Sequence, residues 1–231
     1  MNHTDTRPLP PSAGVICEFN PFHNGHARLL RAMRDAVGTD GVVVCAMSGR
    51  FVQRGEPAVC DPYIRAAAAL AGGADLVVEL PFPWSCGAAP DFARGGVSVL
   101  SGLGVGRLAF GSECGGEALL RECARLVSDP AFTAAVQSAV TGGAGAAEAW
   151  TQVLRSRVSA PLPEGFPQPN DRLAVHYLAA AAGTDMHPLI IRRDGQDYDD
   201  TLLTDAAAPS ATALRVLLRE AACDPDILSA M

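Results

Sequence analysis

Lysine is missing altogether: all 18 basic residues among the 231 are arginine. This excludes a lysine nucleophile, a Schiff base and a phosphate-binding lysine, and leaves anion contacts to arginine, histidine and backbone amides. Paired cysteine spacing is absent too. The seven cysteines (Cys17, Cys45, Cys60, Cys86, Cys114, Cys123, Cys223) are odd in number and scattered, with no C-x-x-C pair. Neither a disulfide framework nor a zinc centre is expected, and no protein-bound metal site is assigned. Cys17 and Cys45 lie inside strand-like runs and read as small buried residues. No apolar run reaches membrane-spanning length, and residues 1–13 lack the hydrophobic core of a signal peptide, so a cytoplasmic protein without membrane contact is expected. Nor is there an excess of positive charge: the net charge of −7 supplies no general attraction to nucleic acid.

What the chain does have is 48% hydrophobic and 19% charged residues, the balance of a well-buried α/β domain. Its length suits one such domain with a helical insertion. Residues 1–13 are expected to be a disordered tail and 14–231 the domain.

Residues 14–17 form a short apolar strand, the turn Glu18-Phe19-Asn20-Pro21-Phe22 follows, and a helix is expected over 27–37. The β-branched run 41–47 fits a second strand buried on both faces. A polar loop over 48–59 carries two arginines; it reads either as part of a site at the carboxyl edge of a sheet or as a solvated surface loop. Asp61 caps a helix to residue 70, with Pro62 at its first position. Strands are expected over 75–81 and 108–110, with a helix over 90–100 between them. Strands alternating with helices of this length mean βαβ crossovers and a parallel sheet. From about 116 to 160 the apolar spacing turns helical, and this stretch is an insertion. Asn170 is expected to cap a helix over 172–182, and residues 187–191 give a fifth strand. A last amphipathic helix opens at Ser210, with Leu214, Leu217 and Leu218 facing inward.

The chemistry concentrates in His23-Asn24-Gly25-His26, between the first strand and the first helix. A helix that starts above a sheet edge points unpaired N–H groups and the positive end of its dipole at that space, where phosphate is stabilised. Two imidazoles three residues apart share one side of the first turn and can both donate to phosphate oxygens as charge builds. Gly25 leaves the space between them open.

His-x-Gly-His after a first strand resembles the signature of the HIGH-type nucleotidyltransferases, a Rossmann-like fold. More specifically, residues 18–26, 47–58, 78–81, 92–95, 110–113, 169–170 and 210–215 resemble the bacterial tRNA(Met) cytidine acetate ligase family, in the family's order. The resemblance implies a Rossmann-like nucleotidyltransferase domain with a parallel sheet. It also implies ATP-dependent activation of acetate as acetyl-adenylate, with transfer of the acetyl group to the wobble cytidine of elongator tRNA(Met). It places ATP against Ile16, Cys17, Glu18, Phe19, Asn20, Pro21, Phe22, His23, Asn24, Gly25, His26 and Leu29. Gly111, Asn170, Arg193 (in a pattern with Tyr198 and Asp200), Ser210, Thr212 and Arg215 complete the implied site. The resemblance also implies catalytic roles for His23, His26 and Arg215, and Mg2+ accompanying the ATP.

Several of these positions also have an ordinary structural reading: Gly111 as a turn glycine, Asn170 and Ser210 as helix caps, Arg193 as strand-end solvation. Arg50, Arg54 and Arg65 are candidate RNA contacts, the alternative being an exposed basic face. The chain departs from the family pattern at Pro62, Tyr63 and Asp171, and family members continue past the last signature into a helical region that contributes to tRNA binding. Acetate activation with weakened tRNA binding is therefore expected. Two other classes stay open: a nucleotidyltransferase acting on a small phosphorylated metabolite, and a non-catalytic nucleotide-binding remnant.

Overall fold

The computed structural model describes residues 9–53, 55–114 and 116–192, together with residues 212, 214–216 and 218 of a further helix. Five strands form one sheet: β1 (Ser12–Cys17), β2 (Val42–Ser48), β3 (Leu76–Leu80), β4 (Arg107–Ser112) and β5 (His187–Arg192). Every pairing is parallel, and the spatial order is β3-β2-β1-β4-β5. The chain steps outward from β1 to β3 and then returns to lay β4 on the other side of β1. The strand order reverses between β1 and β4, and ligands of such folds sit outside the carboxyl ends of the strands at that point.

Both faces of the sheet are covered, as the continuous apolar strands require. Val15 and Cys17 of β1 and Val43, Cys45 and Met47 of β2 pack with Leu30, Met33 and Val37 of α1 (Asn24–Val37) and Ala69 of α2 (Pro62–Ala71). Their neighbours Ile16, Val44 and Ala46 point the other way, toward Phe92, Val97 and Leu100 of α3 (Ala89–Gly102) and Val175 of α7 (Pro169–Ala181). This alternation is the period of two of a strand. Gly96 brings α3 close to β1: a Cβ there would stand 2.5 Å from Ile16 Cδ1. The approach explains a glycine inside a helix, where it costs about 1 kcal/mol relative to alanine. Between β4 and α7 the insertion folds as α4 (Glu117–Val127), α5 (Pro130–Thr141) and α6 (Ala146–Arg157), and α4 packs on α7.

Three expectations need correction. Strand β1 starts at Ser12, not residue 14, and Ala13 is completely buried, so the expected tail contributes its last two residues to the sheet. Pro11 O accepts from Val42 N at 2.8 Å and Ser12 Oγ from Gly106 N at 3.0 Å, which ties this end to both neighbouring strands. Asn170 is not a helix cap: α7 begins at Pro169 after the cap residue Gln168. Leu218, expected inward, is 37% exposed, and Leu217 lies outside the described side chains. Among the described residues no helix is long and apolar enough to cross a membrane.

Candidate active site

His23 is the N-cap of α1, and the two histidines close a capping box. His23 Nδ1 accepts from Gly25 N at 3.0 Å, and His26 Nδ1 accepts from His23 N at 3.3 Å. The rings stack with centroids 3.8 Å apart and planes 29° from parallel. A backbone N–H on Nδ1 fixes the tautomer, because a neutral imidazole that accepts there carries its proton on Nε2. Both histidines are thus held as Nε2 donors. No acidic residue sits in the first turn of α1, so the helix does not itself offset its positive end. A Cβ at Gly25 would stand 2.8 Å from His23 Cε1, which is why glycine separates the pair.

The turn before the box is shaped by packing. Phe19 has φ +47, the left-handed region that bulky residues rarely adopt, yet it is only 1% exposed. Its ring lies edge-on to Phe22 at 5.1 Å and tilted against His26 at 4.8 Å, and this burial offsets backbone strain of order 1–3 kcal/mol. Ile16, Cys17 and Phe19 are buried, which leaves their backbone as the part a ligand could meet. The Cys17 thiol, pushed well up in pKa by burial and then by Cys45, is no nucleophile.

The arginine-bearing loop is fastened to this turn. Glu18 Oε1 accepts from Gln53 N at 2.6 Å, and Asn20 Oδ1 accepts from Val59 N at 2.8 Å. Arg50 is exposed, with Nη1 3.5 Å from Asp61 Oδ2, and Arg54 lies outside the described residues. Arg65 is not an RNA contact. It is 1% exposed, and its guanidinium donates to the carbonyls of Glu18, Ser48, Gly49 and Cys60. Chain segments leaving β1 and β2 end there with carbonyls pointing inward, and one planar five-donor group satisfies them. Burial lowers its pKa from the ordinary guanidinium value, and the neighbouring Cys17 and Glu18 act against that shift.

On the other side of the switch point, Gly111 lies near the carboxyl end of β4, paired with Ile191 of β5. Two residues later Glu113 accepts from Asn170 Nδ2 at 2.5 Å and from Asp171 N at 3.1 Å, which seats the start of α7 on the end of β4. Asp171 is 1% exposed; its carboxylate accepts from Ser112 Oγ at 2.6 Å, Cys114 N at 3.1 Å and Gln168 N at 3.1 Å. Glu113 and Asp171 are site-building residues that sequence reasoning left out of the site. Both lie where the family resemblance already drew attention, Glu113 at the end of the segment 110–113 and Asp171 as the departure beside Asn170. From the far end of the chain Arg215 Nη1 donates to Asn20 O at 3.0 Å and Nη2 to Thr212 Oγ1 at 2.8 Å. Arg215 thus meets the turn before the histidines at Asn20 and holds Thr212 beside it; Arg193, Tyr198, Asp200 and Ser210 lie outside the described residues.

A doubly wound parallel sheet with helix-end donors and an arginine at its switch point defines a Rossmann-like nucleotide-binding domain built for phosphate chemistry. The chain belongs to the HIGH Nucleotidyl Transferase family, whose model matches residues 11–231. It is similar to the tRNA(Met) cytidine acetate ligase of Syntrophotalea carbinolica, 44% identical over 211 residues that make up 88% of this chain and 50% of that protein. The protein of the same name from Streptococcus mutans is 39% identical over 88% of this chain and 53% of its own length. Among solved structures, apo TmcAL of Thermotoga maritima superposes with a TM-score of 0.80 at 35% identity, covering 91% of this chain and 52% of that one. The same protein bound with alpha-thio ATP gives 0.76 at 34% identity, covering 91% and 50%. This chain spans about half the length of the relatives it matches.

Proposed function

We propose that this domain uses ATP to activate acetate as acetyl-adenylate and serves the acetylation of the wobble cytidine of elongator tRNA(Met). The observation that carries the reading is the capping box: two histidines locked as Nε2 donors at the positive end of α1, with Arg215 docked on the same turn. In the reaction an acetate oxygen attacks the α-phosphorus of ATP, the bond to the β-phosphate oxygen breaks, and pyrophosphate leaves with the electron pair. Negative charge grows on the pyrophosphate side. His23 and His26 donate to it from fixed positions, and Arg215 adds a permanent positive charge.

The backbone of residues 16–22, Gly111 and the Asn170–Glu113 pair frame the nucleotide on either side of the switch point, and Arg193 and Ser210 belong to the same proposed site. Mg2+ accompanying the ATP would offset the charge of the triphosphate. Acetate and the cytidine of tRNA(Met) stand in the name the relatives share, which supports this reading, and a cytoplasmic location goes with a tRNA substrate. Arg50 and Arg54 are the proposed RNA backbone contacts on this chain. The test is exchange of labelled pyrophosphate into ATP by the purified chain. Exchange that requires acetate supports the reading. Exchange that ignores acetate but responds to a phosphorylated metabolite replaces it with the metabolite class, and ATP binding without exchange leaves a binding module.

A further inference from the structure

A recess opens at the carboxyl ends of β2 and β3. Its volume is about 610 Å³, within the range of small-molecule sites. Tyr63, Phe82 and Phe51 line it, together with Glu79, Arg50 and Ser48. The aromatic side chains are left open to an unusual degree, Tyr63 at 80%, Phe82 at 76% and Phe51 at 48%. Ser48, by contrast, is fully buried, and its Oγ has no hydrogen-bond partner. A buried hydroxyl without a partner is uncommon in a finished core.

The recess is tied to the active site. Residues Cys17, Met47 and Glu79 form one row across β1, β2 and β3, so Glu79 is two strand spacings, roughly 10 Å, from the start of the histidine turn. Ser48 O and Glu18 O accept from the same Arg65 Nη1, which makes the recess floor and that turn one rigid piece. The Glu79 carboxylate leans over Gly49, toward the turn: a Cβ on Gly49 would collide with Glu79 Oε1.

We propose that this recess takes the unstacked cytosine of the RNA substrate, an inference that rests on the function proposed above and assigns its acceptor site. An unpaired base is read by stacking on aromatic rings and by hydrogen bonds to its pairing edge. Tyr63, Phe82 and Phe51 supply the rings. The Glu79 carboxylate only accepts, which matches the exocyclic amine of cytosine and opposes the O4 carbonyl of uracil. That amine is then held on the side of the recess nearest the nucleotide. Arg50 at the rim supplies a cation for the flanking phosphate, and a nucleoside fits the volume. A protein segment or a second copy of this chain would need no acceptor at the base-edge position.

The test is fluorescence anisotropy at low salt with labelled seven-nucleotide single-stranded RNAs that differ only at the centre: cytosine, uracil or an abasic site. The expected result is about tenfold tighter binding of the cytosine RNA than of the other two. Tyr63→Ala and Phe82→Ala each weaken it by about tenfold, the scale of one lost base–aromatic stack. Tyr63→Phe, which keeps the ring, binds as the unchanged protein does. Glu79→Gln abolishes the preference for cytosine over uracil, because a carboxamide can present either its oxygen or its NH2. Equal affinity for all three RNAs, or full binding by both alanine variants, overturns the proposal. Self-association in sedimentation that Tyr63→Ala removes would also overturn it, assigning the rings to an interface between copies. Acetate-dependent pyrophosphate exchange on the same preparation separates the two ideas: its absence removes the activation chemistry, and loss of cytosine preference removes only the acceptor site.

Discussion

Replacing Arg65 by methionine tests whether this residue serves RNA or the frame of the site. The substitution keeps an unbranched side chain in a position that is 1% exposed and removes a guanidinium that donates to four backbone carbonyls. Hydrogen bonds from a charged donor are worth about 1.5–3 kcal/mol each, and buried carbonyls left without them cost a similar amount. Against this stands the desolvation of a buried cation, several kcal/mol, which methionine avoids. The expected net loss is about 3 kcal/mol, a large share of the ~5–15 kcal/mol that holds a typical domain folded. At roughly 2–4 °C per kcal/mol for a chain of this size, Tm falls by about 6–12 °C. Urea titration followed by circular dichroism reads the same loss as a lower midpoint. Arg65→Lys recovers only part of it, because three donors on one nitrogen cannot span carbonyls from separate segments. An Arg65→Met protein with an unchanged midpoint but weaker, less salt-sensitive RNA binding would refute the reasoning and restore Arg65 as a phosphate contact.

His26→Ala is expected to lower the rate of adenylate formation by about 10²- to 10³-fold with a smaller effect on ATP affinity, since its Nε2–H meets charge that develops only during transfer. Single-turnover kinetics beside equilibrium ATP binding checks this, and equal losses in both would mean a ground-state contact. A separate pH effect comes from His176, buried against Trp150 with ring centroids 5.5 Å apart. Burial first, and the charge of Arg172 second, push its pKa down to about 4. Between the unfolded value near 6.5 and about 4 the unfolded chain takes up a proton that the folded one refuses. Stability is therefore full above pH 6.5 and falls as pH drops through this window, by about 3 kcal/mol at 1.36 kcal/mol per unit. His176→Gln should flatten Tm between pH 6.5 and 4, and an unchanged slope would place the proton elsewhere.

The continuous apolar runs, the cap at Asp61 and the placement of His23 and His26 after the first strand follow from local sequence alone. They determined five strands, the alternation with helices and the position of the proposed anion site, because strand, cap and helix-end physics acts over a few residues. The capping box itself is nearly a sequence property, since residues three apart at a helix start are obliged to meet. Arg65 marks where that reasoning stops. On an alanine-rich helix an arginine reads as exposed, and only the packing of α2 against the ends of β1 and β2 turns it inward onto carbonyls from residues 16 and 17 positions away at Gly49 and Ser48 and 47 away at Glu18. Asn170 meets Glu113 across 57 positions, and Arg215 reaches Asn20 across 195. Such contacts depend on which strand lies beside which, and that order is decided by how all the crossovers pack at once. For the same reason the exposed rings of Tyr63 and Phe82, 19 positions apart and on different elements, become one recess only in the folded chain.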